Sequence, residues 1–127
     1  MKFEVDDVLE RLPKMVNDGE QYDVVILDPP AFTKSRASIK KATTGYKEIN
    51  MRGMKLVKDG VYLATSSCSH VMDEELFLKT IQDAARDAHK RLKQVEFRQQ
   101  AADHPILVGG AASYYLKFVI YQVCDEM

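Results

Sequence analysis

The run Tyr22-Asp23-Val24-Val25-Ile26-Leu27, followed at once by Asp28-Pro29-Pro30, decides the fold. It is a continuous, β-branched, largely apolar stretch with no alternation of polar and apolar positions. A strand that is apolar on both faces is the mark of a buried, parallel sheet. The stretch stops at the two prolines, which cannot continue a ladder of hydrogen bonds.

Working outward, Val8, Leu9, Leu12, Met15 and Val16 have helical spacing, with Asp7 as the N-cap and Pro13 as a point of kinking or splitting. Downstream, residues 33–44 are polar and basic and read as a loop or loose helix. A helix is predicted from Gly45 to Val57, burying Tyr46, Ile49, Gly53, Leu56 and Val57, and Lys58-Asp59-Gly60 ends it with a turn. Val61 to Ser66 reads as a second strand running into Ser67-Cys68-Ser69. Asp73 to Arg91 reads as the clearest helix, acidic at its start and basic at its end, as the helix dipole favours. Two further strands are predicted around Leu92–Gln99 and Tyr114–Val123. The loop between them holds His104-Pro105 and Gly109-Gly110. The alternation of helix and strand predicts an α/β fold with a mainly parallel sheet. Ligands in such sheets bind beyond the carboxyl ends of the strands. Those ends carry Asp28-Pro29-Pro30 and Ser66-Ser67-Cys68-Ser69.

Composition narrows the function classes. With 127 residues, 46% apolar and 29% charged, the chain is neither disordered nor a disulfide scaffold. No apolar run approaches the ~20 residues of a membrane span. No basic-then-apolar leader opens the sequence, so a cytoplasmic location is expected. Cys68 and Cys124 are then expected as reduced thiols. The net charge of −1 hides an asymmetry. Residues 33–58 carry eight bases against Glu48 alone, while residues 1–28 carry eight acids against three bases. A basic segment points to an anionic partner such as nucleic acid, or else to a solvated helix face.

Two motifs carry chemistry. Asp28-Pro29-Pro30-Ala31-Phe32 places a carboxylate and an aromatic face on a stiff turn, where side chains are preorganised to hold a flat ring. The alternative is a strand stop with Asp28 capping a turn. Cys68, set among Ser66, Ser67 and Ser69 with His70 close by, is a thiol in a polar, donor-rich loop that eases deprotonation. The alternative is a small buried hydrophobe, the role expected for Cys124. His70, His89 and His104 show no metal-ligand spacing with the cysteines, so no metal site is expected. No Walker loop or Gly-x-Gly-x-x-Gly occurs.

YDVVILDPPAF, GYKEIN, SSCSH, QAADHPIL and YYLK together resemble, in order and spacing, the class I S-adenosylmethionine-dependent methyltransferases of the bacterial 23S rRNA 5-methylcytosine type. The resemblance runs from about Phe3 to Val123. It implies the distal half of a Rossmann-like methyltransferase sheet, about four strands with an antiparallel terminal strand. It implies S-adenosyl-L-methionine as cofactor, near Asp7, Asp28 and Pro29, and rRNA as substrate. By the same resemblance Cys68 is the nucleophile toward C6 of cytosine and Asp28 holds the base edge. Pro30, Phe32, Lys34, Arg36, Tyr46, Ser67 and Ser69 fall on the substrate side. A second family, which methylates the exocyclic amine of guanine in 23S rRNA, shares the Asp-Pro-Pro-x-Phe motif but lacks the cysteine. A non-catalytic RNA-binding module and a thiol hydrolase using Cys68 with His70 or His104 are further alternatives.

The sequence departs from the family's pattern in three places, and the first is the turn before the second strand, with only Gly60 where a Gly pair is common. Residues 109–117, Gly-Gly-Ala-Ala-Ser-Tyr-Tyr-Leu-Lys, lack the usual Pro-Glu pair. The Gly-rich cofactor loop and the acidic end of the next strand are not among these residues. Residues 1–127 are therefore expected to be the carboxy-terminal part of a methyltransferase domain, inactive alone. The first strand is expected to leave an open apolar edge that pairs with another copy in a homodimer or higher assembly.

Overall fold

The computed structural model describes residues 4–29, 39–67, 72–99 and 117–126. Three helices and four strands follow in the order α1 (Val8–Asn17), β1 (Tyr22–Leu27), α2 (Ile39–Leu56), β2 (Val57–Ser67), α3 (Glu74–Ala88), β3 (Lys90–Gln99) and β4 (Lys117–Asp125). The strands form one sheet in the order β1-β2-β4-β3. β1 and β2 run parallel, with Val24 opposite Tyr62 and Leu27 opposite Thr65. β4 runs antiparallel to both of its neighbours.

Local chemistry accounts for most of the boundaries. The Asp7 carboxylate accepts from the Leu9 amide at 3.0 Å and caps α1 as expected. Pro13 neither splits nor ends α1. The Asp73 carboxylate accepts from the Leu76 amide at 2.8 Å and starts α3. α3 stops at Ala88, because His89 turns left-handed at φ 58 and its amide closes on Ala85 and Arg86. Lys90 and Arg91, expected in the helix, therefore open β3.

One reading is resolved and another is corrected. Residues 39–44, read as a loop or loose helix, are the first turns of α2, with Ala42 buried. Lys58-Asp59-Gly60 lies inside β2 rather than in a turn. Gly60 takes φ +84, which a side chain would resist, and its carbonyl accepts from Gln122 Nε2 at 2.9 Å.

The core lies between the sheet and the α2–α3 layer. Leu63, Val119 and Val123 of the sheet pack with Tyr46, Ile49 and Met54 of α2 and with Phe77 and Ile81 of α3. Burying Phe77 alone contributes about 1.5–3 kcal/mol. Lys47 of α2 and Asp87 of α3 close the outer side of that layer at 2.7 Å. That hydrogen bond holds the Asp87 carboxyl below, and the Lys47 ammonium above, its ordinary range.

β1 is less buried than its composition predicts. Leu27 and Val25 face the helices, whereas Val24 and Ile26 share the other face with Tyr62 and are 54% and 70% exposed. β1 is an edge strand, so one face and one edge of this apolar run are open. Among the described residues, no helix is long and apolar enough to cross a membrane.

Candidate active site

The parallel register that sets Leu27 opposite Thr65 brings the next pair, Asp28 and Ser66, side by side at the carboxyl edge of the sheet. The Ser66 hydroxyl donates to the Leu27 carbonyl and to Asp28 Oδ1, each at 3.2 Å. The two motifs singled out in the sequence thus meet through a hydrogen bond between residues 38 apart. Ser66 is buried, while Asp28 is exposed and offers its remaining acceptor capacity outward.

Gly53 sets the height of α2 over this edge. A methyl at its Cα would stand 2.8 Å from Leu27 Cδ1. A larger residue here requires the flexible end of Leu27 to shift.

Beside Asp28 a cavity of about 380 Å³ runs along the edge of β1. Val8, Leu12 and Met15 of α1 form one wall, and Ile26, Asp28 and Pro29 form the other. Its lining is mainly apolar and suits a flat ring, with one carboxylate at the end. Asp7 adjoins it in sequence at Val8, but already uses one oxygen as the cap of α1.

The carboxyl end of β2 is also where the core becomes polar. Among the described residues, five of the six buried polar ones, Asn50, Thr65, Ser66, Ser67 and Lys117, lie on α2, the end of β2 or the start of β4. The sixth, Thr80, donates to the Leu76 carbonyl within α3. Asn50 Oδ1, Thr65 Oγ1 and Ser67 Oγ have no hydrogen-bond partner. Lys117 is opposite Ser67 in the β2–β4 register and is 1% exposed.

The expected site residues divide as follows. Asp7, Asp28, Pro29 and Ser67 fall at or beside the carboxyl edge of β1 and β2. Tyr46 is fully buried in the core, so the structure gives it a packing role. Pro30, Phe32, Lys34, Arg36, Cys68 and Ser69 lie outside the described residues, as do His70 and His104. Within the basic segment, Lys47, Arg52 and Lys58 are paired with Asp87, Glu48 and Asp23 of this chain. Lys40 and Lys41 are exposed at the start of α2. Sequence reading named Ser66 and Lys117 within their motifs without giving either a role of its own, and passed over Asn50 and Thr65. Among the described residues no group of three or more His, Cys, Asp or Glu side chains could hold a metal.

This sheet, with its reversed strand inserted between β2 and the outer strand, has the Rossmann-like α/β fold of part of several solved structures. SMU.776, assigned as a methyltransferase and solved in complex with S-adenosylhomocysteine, superposes with a TM-score of 0.76 over 93% of this chain and 30% of its own, at 20% identity. The N-methyltransferase NodS from Bradyrhizobium japonicum superposes with a TM-score of 0.53 over 94% of this chain and 52% of its own, at 12% identity. In sequence, the chain is similar to ribosomal RNA large subunit methyltransferase I of Alteromonas mediterranea, 43% identical over 120 residues. The protein of that name from Vibrio parahaemolyticus is 47% identical over 111 residues. These matches cover 94% and 87% of this chain, which spans 30% and 28% of the relatives' length. No protein-family model matches the chain.

Proposed function

We propose that this chain is the substrate side of an S-adenosylmethionine-dependent methyltransferase that acts on C5 of a cytosine in large-subunit rRNA. The observation that carries this reading is the Ser66–Asp28 hydrogen bond, because it ties the Asp-Pro-Pro turn to the strand that leads directly into Cys68. The names of the curated relatives support the rRNA substrate, and the solved structure with S-adenosylhomocysteine supports the cofactor.

The residues present fit that cofactor. The cavity beside β1 offers an apolar slot ending at Asp28 and Pro29. When bound, the cofactor supplies an electrophilic methyl on a sulfonium. This chain supplies the rest of the chemistry assigned to it. The Cys68 thiolate adds to C6 of the cytosine, and the electron pair of the C5–C6 double bond moves to make C5 nucleophilic. Asp28, fixed by Ser66, holds the polar edge of the base and steadies the charge that develops on the ring. After C5 is methylated, a base removes its proton and the C–S bond breaks, returning the thiolate. The target base must leave any stack to be reached. Lys40 and Lys41, exposed at the start of α2, bind the RNA backbone, and the basic character of Lys34 and Arg36 suits the same partner, so affinity falls as salt rises.

The isolated chain is read as inactive by itself, and in the absence of cofactor a homodimer forms through the open edge of β1, where Val24 and Ile26 are exposed. Light scattering tests the second point. Ile26→Lys is expected to leave a monomer, and a monomeric unsubstituted chain at high concentration overturns it. Titration of S-adenosylmethionine into a chimera tests the main reading. In the chimera, this chain replaces the matching segment of the Alteromonas mediterranea relative. Binding that Asp28→Ala weakens is expected. No binding, with the relative itself binding, overturns it.

A further inference from the structure

We infer that the cleft between α1 and α2 is a subsite for one ribonucleotide of the substrate RNA, a neighbour of the target base rather than the base itself. The inference rests on the proposed rRNA substrate, and it adds a site that neither the motifs nor the relatives' names assign.

A cavity of about 430 Å³ opens between the two helices, lined by Leu9 of α1 and by Lys41, Thr44, Gly45 and Glu48 of α2. The four α2 residues stand at i, i+3, i+4 and i+7, so they form one stripe of the helix. A different stripe, with Ala42, Tyr46, Ile49 and Gly53, is buried in the core. The core thus leaves the cleft's stripe without a packing task. Val8 and Leu12 line the cavity beside β1, whereas Leu9 lines this one, so the start of α1 separates the two. Leu9 is 47% exposed, an apolar wall open to a ligand. Gly45 stands inside a helix, where glycine costs about 1 kcal/mol against alanine. Its missing side chain keeps the cleft open.

Position links the cleft to the candidate site. α2 ends at Leu56, where β2 begins, so its first turns lie toward the carboxyl edge of the sheet. Gly53 meets Leu27, the residue before Asp28. Gly45 is eight residues earlier, about 12 Å back along the helix at 1.5 Å per residue. That is the reach of a neighbouring nucleotide.

The lining selects the ligand. The Thr44 hydroxyl donates to the Lys40 carbonyl at 3.0 Å and so faces a ligand as an acceptor. Glu48 Oε1 accepts from Arg52 Nε at 2.9 Å, which leaves Oε2 as a second acceptor. Lys47, Arg52 and Lys58 are paired within the chain, whereas the exposed Lys40 and Lys41 have no carboxylate partner among the described residues. Glu4 and Asp6, ahead of α1, are held by Arg11 at 3.2 and 3.5 Å, which blunts their repulsion of an anion. A ribonucleotide supplies the matching groups. Its phosphate meets Lys41, its 2′-hydroxyl donates to Glu48, and its base lies on Leu9 over Gly45.

The test follows amide shifts by NMR as the isotope-labelled chain is titrated with the cytidine trinucleotide CpCpC, its deoxy counterpart or inorganic phosphate. Saturable shifts at Leu9, Thr44 and Gly45 are expected with CpCpC, and binding about tenfold weaker with the deoxy form. Lys41→Gln is expected to lower the salt slope of binding by about 0.7. Gly45→Met fills the cleft without changing charge, and is expected to weaken binding about tenfold with the slope intact. Circular dichroism and a thermal melt establish that each variant is folded. Unchanged binding by a folded Gly45→Met chain overturns the inference, since attraction to the lysines alone would then account for it. If Gly45→Met does not fold, Leu9→Glu at its half-exposed position decides, and unchanged binding there overturns it. The same shifts with inorganic phosphate, or equal affinity for the deoxy form, overturn it as well. The readout needs neither cofactor nor methyl transfer. Ribonucleotide binding in this cleft, by a protein that fails to methylate RNA, would therefore refute the functional reading and leave this one standing.

Discussion

Replacing Gly53 by alanine tests whether α2 seats the end of β1, and with it Asp28. The added methyl stands 2.8 Å from Leu27 Cδ1 and 3.4 Å from Cδ2 and Cγ. Two effects oppose each other. Alanine in a helix interior is favoured over glycine by about 1 kcal/mol. Against this, Leu27 is only 8% exposed and must change rotamer or push the strand, and overpacking of this kind costs about 1–3 kcal/mol. The strain wins by a small margin, and Gly53→Ala should destabilise the chain by roughly 0–2 kcal/mol. Urea unfolding followed by circular dichroism measures it. Leu27→Val removes the atom that is struck, so in that background Gly53→Ala should become neutral or stabilising, and the double-mutant cycle should show the coupling. A gain of the full ~1 kcal/mol in the unsubstituted background would refute the reasoning, since Leu27 would then accept the methyl freely. It would also mean that α2 does not fix the position of Asp28.

Two more outcomes follow from the same contacts. Ser66→Ala removes the donor that Leu27 and Asp28 share and should cost about 1 kcal/mol in urea unfolding; an unchanged midpoint contradicts the link between the strands. Burial pushes the Tyr121 hydroxyl up to about 12, from about 10 in the unfolded chain. The unfolded state therefore ionises first. The stability this group contributes is intact below pH ~10 and declines as pH rises toward 12, and Tyr121→Phe should flatten that decline in an alkaline melt series.

The architecture was legible because periodicity and caps report on local physics. Tyr22–Leu27 read as a strand from its β-branched run, and Asp7 and Asp73 marked both helix starts by the chemistry of their carboxylates. What local pattern could not show was context. Residues 39–44 read as either a loop or a loose helix because Lys40, Lys41, Thr43 and Thr44 are poor in apolar groups, and the packing of Ala42 and Tyr46 makes them helix. His89 ends α3 through a left-handed turn that no helix-breaking residue announces. The site was half legible. The carboxyl ends of β1 and β2 were placed correctly, since parallel strands bring their ends together. The contact of Ser66 with Asp28 and the burial of Thr65 and Lys117 were not legible, because they depend on register across the sheet, and register depends on which strands become neighbours.

The central claim is that Cys68, the residue after Ser67 in sequence, is the nucleophile of a cytosine methyltransferase. It is tested most directly by covalent trapping on RNA containing 5-fluorocytidine, from which the fluorine at C5 cannot leave as a proton would. The chimera with the Alteromonas mediterranea relative, S-adenosylmethionine and that RNA should give a stable protein–RNA adduct, and Cys68→Ala should abolish it. An adduct that survives Cys68→Ala, or none from a chimera that still methylates unmodified RNA, contradicts the account.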